Sequence, residues 1–243
     1  MTTLPRRVAG LPRVPLAVLL LSLIVAGVSQ VLPRSASPLT QARPTIATAD
    51  RVGSDGAGGF DPLAPAGAVV TTADLERIRA DVTFWGDRFS KSPRDFISAT
   101  RMAASEIELA RATGDISAYL AGAVAVEGSL KAYPDYPLAL DYRGVIQVAL
   151  HQFTAARDNA IAILAATPND PTALATLGDA SLELGDLPAA NTAYRKLTAL
   201  GDSAAARVRV SHLAFIQGQT ADAVSAARSA VRAAIDDETA GSA

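Results

Sequence analysis

Cysteine is absent from the 243-residue chain. Its absence removes disulfides, thiolate metal sites and cysteine nucleophiles together. Histidine is nearly as scarce: His151 and His212 stand far apart, and neither belongs to a His-Glu-x-x-His or His-x-His arrangement of the kind that holds a metal. No Gly-x-Ser-x-Gly elbow occurs, and Ser105, Ser129, Ser181 and Ser211 fall in helical runs. Glu106 and Glu108 occupy alternate positions on a helix, while Asp236, Asp237 and Glu238 read as a solvated tail. The chain therefore offers no catalytic set, no metal site and no cofactor site, and the reading is of a protein that is not an enzyme. A dominant charge is lacking too. Lys and Arg total 22 against 24 Asp and Glu, a balance of −2 that gives no electrostatic case for nucleic acid.

That charge is unevenly spread. Five Arg and no acid precede residue 44, whereas 16 basic and 21 acidic side chains follow residue 70. Arg6, Arg7 and Arg13 lead into an apolar run from Val14 to Leu32, interrupted only by Pro15, Ser22, Gly27, Ser29 and Gln30. This is an export segment. Val14 to Leu32 is long enough for an uncleaved signal-anchor, and Leu16 to Val25 with a cut after Gly27 serves as a signal peptide. The missing cysteine excludes a lipoprotein. The clustered Arg place the N-terminus in the cytoplasm and the rest outside a cell membrane crossed once, or secreted if the segment is cleaved, although Arg34, Arg43 and Arg51 on the far side weaken that asymmetry. From Pro33 to Val70 the chain is rich in Pro, Ser, Ala, Thr and Gly, with too little apolar pattern to offset ordering entropy, and reads as a disordered linker. Its Gly56-Ala-Gly-Gly59 is not a phosphate loop, since no Lys-Ser/Thr follows.

Folded structure is expected from Thr71-Thr72, with Thr72 as helix cap and Glu76 near the capping-box position. Leu75, Ile78, Val82, Trp85 and Phe89 then repeat at helical spacing, a stripe suited to plugging the open end of a stack of helices. The clearest stretch is Pro171 to Asp202. Leu174, Leu177 and Leu184 line one helical face, Leu187, Ala190, Tyr194 and Leu197 line a second, and Gly185-Asp186 separates them. Small residues at Gly178 and Ala190 allow the two helices to approach closely. One repeat length back, the same places are Pro137, Leu140, Gly144, Ala156 and Ala160; forward they are Gly218, Ala223 and Ala227.

Leu174, Leu177-Gly178, Gly185-Asp186, Ala190 and Tyr194 fall on the pattern of a tetratricopeptide repeat, a helix-turn-helix unit of about 34 residues, which this stretch resembles. Ser181 stands where the first aromatic is usual and Asp202 where the proline is usual. The resemblance implies an all-α fold, a short right-handed α-solenoid behind the N-terminal transmembrane or signal helix and the linker. Its units are an export segment at 1–32, a linker at 33–70, a capping helix at 71–92 and a degenerate repeat at 93–136 with a turn at Gly114-Asp115. Repeats at 137–170, 171–203 and 204–237 and a tail at 238–243 complete it. His151 falls at the turn of the second unit beside a buried Phe153.

The resemblance also implies a concave groove lined by the first helix of each pair, receiving a peptide or a partner helix. Carried onto this chain, the lining places are Glu108, Asp141, Val145, Ala175, Asp179, Val208 and His212, with Tyr142, Glu183 and Arg209 at the margins. Members that bind chaperone tails clamp a C-terminal carboxylate with Lys, Asn and Arg; here Asp141, Val145, Ala175 and Asp179 stand instead, so no such clamp is expected and a basic or basic-apolar segment is the expected ligand. The layout is similar to bacterial envelope scaffold and assembly proteins, and high Arg and Ala with little Lys suit a GC-rich bacterial genome. Self-association through the Ala-rich helix from Thr220 is the alternative, and an accessory role to an envelope enzyme the next.

Overall fold

A computed structural model describes residues 70–241. The expected export segment and nearly all of the linker lie outside the described residues. Among the described residues, nine α-helices and no strands are present, and no helix is long and apolar enough to cross a membrane. They are α1 (Thr72–Lys91), α2 (Phe96–Thr113), α3 (Ile116–Ala132), α4 (Pro137–Ala149), α5 (Phe153–Ala166), α6 (Pro171–Glu183), α7 (Leu187–Leu200), α8 (Ala204–Ile216) and α9 (Thr220–Gly241).

Short polar residues start most of these helices by accepting an orphan backbone N–H. Asp95 accepts from Ser98, Asp170 from Ala173, Asp186 from Ala189 and Ser203 from Ala206. At α1 the cap is Thr71 rather than Thr72, and its reciprocal partner is Asp74 rather than Glu76. The cap falls one residue earlier because Thr71 keeps extended backbone while Thr72 is already helical. Proline opens α4, α6 and α8's neighbour α7 within the first turn, where its missing N–H costs nothing.

The turn inside each hairpin needs one residue with left-handed backbone. Gly114, Gly185 and Gly218 supply it at φ of 75°, 80° and 76°, and His151 supplies it at φ 59°. In the last three hairpins the turn closes identically: Gln152, Asp186 and Gln219 donate their N–H to the carbonyl five residues earlier, each at 2.8 Å, which is a Schellman closure. The left-handed residues recur at about the tetratricopeptide interval.

Packing follows the small residues. A Cβ at Gly178 would overlap the Tyr194 ring, so this glycine is the socket into which α7 places its largest side chain. Tyr194 is buried there with Ala190, Leu182 and Leu213. Leu174, Ala175, Leu197 and Ala206 join α6, α7 and α8, and Ile107, Val126, Tyr142 and Ile146 join α2, α3 and α4, so each core cluster sits at a junction between neighbouring units. At the amino end Ile78 is buried, Phe89 reaches Gly128 on α3, and the half-buried Trp85 lies under the Arg101 guanidinium of α2. At the other end α9 runs on through the segment read as a tail from residue 238, because nothing in Asp236–Thr239 breaks a helix.

Candidate functional site

Helices α2, α4, α6 and α8 touch one another in turn, whereas among the described residues α3, α5, α7 and α9 make no such contact with each other. Closely spaced first helices and spread second helices bend a stack so that the first-helix face is concave. On that face two positions recur at the repeat interval. One is Ala104, Asp141, Ala175 and Val208; the other is Glu108, Val145, Asp179 and His212.

The first position is buried in the interior of the array, and only Val208, at 42 %, is exposed. The reason is stacking: in α2, α4 and α6 the next first helix covers this position, and among the described residues no further first helix packs against α8. Asp141 and Tyr142 are thereby placed differently from the groove-lining expectation. Tyr142 is a core side chain packed with Ile107 and Ile146. Asp141 is 8 % exposed, and its Oδ1 has no hydrogen-bond partner. Burial, reinforced by the nearby negative Asp170, pushes its carboxyl up to about 8, so near neutral pH it carries little charge. Glu106, also buried, is raised by the same desolvation with a smaller contribution from Asp115.

The second position carries charges that are met within the chain. Glu108 accepts from Arg77 of α1 at 2.5 Å. Asp179 is held more firmly. Arg209 donates through Nε at 2.9 Å to Oδ1 and through Nη2 at 2.9 Å to Oδ2, a two-pronged pair, and the Tyr194 hydroxyl donates to Oδ1 at 2.8 Å. Desolvation and the adjacent Asp179 carboxylate push the Tyr194 phenol upward, keeping it a donor. The acidic lining read from the sequence is therefore largely cancelled in place: one acid by burial, two by arginines.

What remains is a cleft of about 350 Å³ spanning three units. Val148, Ala149 and His151 come from α4 and its turn, Phe153 from the start of α5, Asp179, Leu182 and Glu183 from α6, Tyr194 from α7, and Val208, Arg209 and His212 from α8. Of the expected residues, Asp179, Glu183, Val208, Arg209 and His212 meet here; Glu108, Asp141, Tyr142, Val145 and Ala175 do not. His151, Val148, Leu182 and Phe153 were not among the expected lining residues. The signal for His151 was present in the repeat register, where a histidine takes the place that Gly185 holds one unit later. Among the described residues no group of three or more His, Asp and Glu side chains could hold a metal ion. Asp179 thus meets its cation and a hydroxyl donor within the chain, through Arg209 and Tyr194.

Solved structures share this fold. A crystal structure of MamA superposes with a TM-score of 0.51 at 14 % identity, covering 71 % of this chain and 99 % of MamA. The fold is a tetratricopeptide-type helical repeat. A MamA RS-1 double mutant matches at a TM-score of 0.52 and 16 % identity over 69 % of this chain and 89 % of its own. MamA AMB-1 matches at 0.51 and 17 % over 69 % and 95 %. No family model matches the sequence, and no curated protein matches it.

Proposed function

We propose that this repeat array is a non-catalytic scaffold or assembly factor that receives a segment of a partner protein along the face formed by α2, α4, α6 and α8. The supporting observation is the cleft that three successive units build jointly on that face, with apolar walls and exposed polar edges. A helical face offers side chains while its backbone hydrogen bonds stay satisfied, so a few anchors can carry the affinity. The array is held at the cell envelope by residues 1–32, outside the cytoplasm, as the Arg-flanked apolar run of the sequence suggests. A self-associating protein is the second reading, favoured by the exposed Val224 and Val231 on the terminal helix α9.

The test places a photo-crosslinking amino acid at Val145 or His212 of the full-length chain in its native cells, with Val124 on the outer face of α3 as control. One stoichiometric partner captured from both groove positions and not from Val124 is the expected result. Products containing only copies of this chain support self-association. Equal capture of many proteins from all three positions overturns the groove.

A further inference from the structure

We propose that the cleft between the α4–α5 turn, α6 and α8 seats one apolar side chain of a partner segment, with a neighbouring Lys or Arg of that segment on Glu183. This rests on the groove reading above and names the chemistry of its anchor. Val148, Phe153, Leu182 and Val208 give the cleft its apolar walls. Its volume of about 350 Å³ lies at the small end of ligand sites, which suits a side chain better than a cofactor.

Charge complementarity selects the neighbour. Among the lining carboxylates, Asp179 is taken by Arg209 and Tyr194, whereas Glu183 is exposed and outside every ion pair among the described residues. One cation beside the anchor therefore satisfies the cleft, and an anion there would face an uncompensated carboxylate.

The backbone supplies independent support. The only two histidines of the chain, remote in sequence, both line this cleft. His151 does so from left-handed backbone that its three sister turns assign to glycine. A side chain is disfavoured in that conformation, and such strain persists where the side chain is used. Its ring is held edge-on to Phe153 at 5.2 Å, which fixes the imidazole at the cleft mouth.

The probe is a twelve-residue Gly/Ser peptide with one central benzoyl-phenylalanine preceded by Lys, Ser or Glu, photo-crosslinked to the full-length chain and mapped by mass spectrometry. The expected label falls on α6 and α8, with yields in the order Lys, Ser, Glu. Val208→Lys, at a position exposed enough to leave the melting temperature unchanged, should cut the Lys-peptide yield at least about tenfold. Glu183→Gln should erase the advantage of Lys over Ser, about two- to fivefold for a surface ion pair. His151→Gly separates use from support: melting should rise by about 3 °C as strain is released, while labelling falls about fivefold, as for a moderate contact residue. Val124→Lys should change nothing. Labelling scattered over the array, unaffected by Val208→Lys, or strongest for the Glu peptide overturns the proposal. If that happens while the native partner still crosslinks from Val145, the groove stands and only this anchor is wrong.

Discussion

Asp141 on α4 and Asp179 on α6 sit on the same face of neighbouring units, and both read from sequence as negative charges offered to a ligand. Asp141 is packed away with an unpartnered Oδ1 and a carboxyl raised by desolvation to about 8. Asp179 is clamped by Arg209, with side chains 25 % and 19 % exposed. The first loses its charge to its surroundings; the second keeps it and has it answered. The difference teaches that formal charge along a helix face does not measure the potential of a groove, because each acid must be followed to its own partner or its own solvent.

The largest expected effect sharpens the Asp141 side. The unfolded chain releases this proton near 3.8, whereas the folded chain keeps it to about 8. Across that window unfolding releases a proton, so stability falls as pH rises, by at most about 1.4 kcal/mol per unit, and is level outside it. Chemical denaturation of Asp141→Asn and the wild type from pH 5 to pH 8 should therefore diverge by on the order of 2–4 kcal/mol in favour of the variant at the alkaline end. Parallel curves would place Asp141 in solvent. Glu106, raised in the same direction, leaves a residual slope in the variant.

Breaking the other side is the next largest. Arg209→Met strands Asp179 and should cost about 1–3 kcal/mol, while Asp179→Leu with Arg209→Met and Tyr194→Phe should recover most of that loss, since neither an orphan charge nor an orphan hydroxyl is left. A triple variant as unstable as the single would mean that the stranded Asp179 charge is not what the single variant loses stability to. The smallest effect is expected at the more exposed of the two pairs on this face. Glu108→Gln, losing Arg77, should cost no more than about 0.5 kcal/mol and less still at high salt, a useful zero for the series.

The helices and their turns were legible because they obey local rules. Gly114, Gly185 and Gly218 mark the left-handed turns, and the apolar spacing of Leu187, Ala190, Tyr194 and Leu197 shows which face of α7 is packed; three of these four are fully buried and Leu187 lies beside them. The Gly178 socket was legible as a small residue one helix away from a large one. Burial of Asp141 was not, since it depends on a following first helix covering that position, and the same register gives an exposed Val208 where, among the described residues, no further first helix packs. The placing of His151 and His212 on one cleft was hidden for a related reason: the cleft joins three units, and a sequence motif reports only what lies within one. At α1 two adjacent threonines present equal capping chemistry, and only backbone conformation distinguishes them.

Every helix contact among the described residues joins elements one or two apart in the chain, so no strand of covalent or packed structure ties one end of the array to the other. Under tension applied through the two termini, such an object has no single lock to shear. It yields hairpin by hairpin, lengthening in instalments, and re-forms from whichever hairpins remain when the load is released. Were the array held to a surface by one end and to a partner by its face, as proposed above, it would act as a compliant coupling rather than a rigid strut.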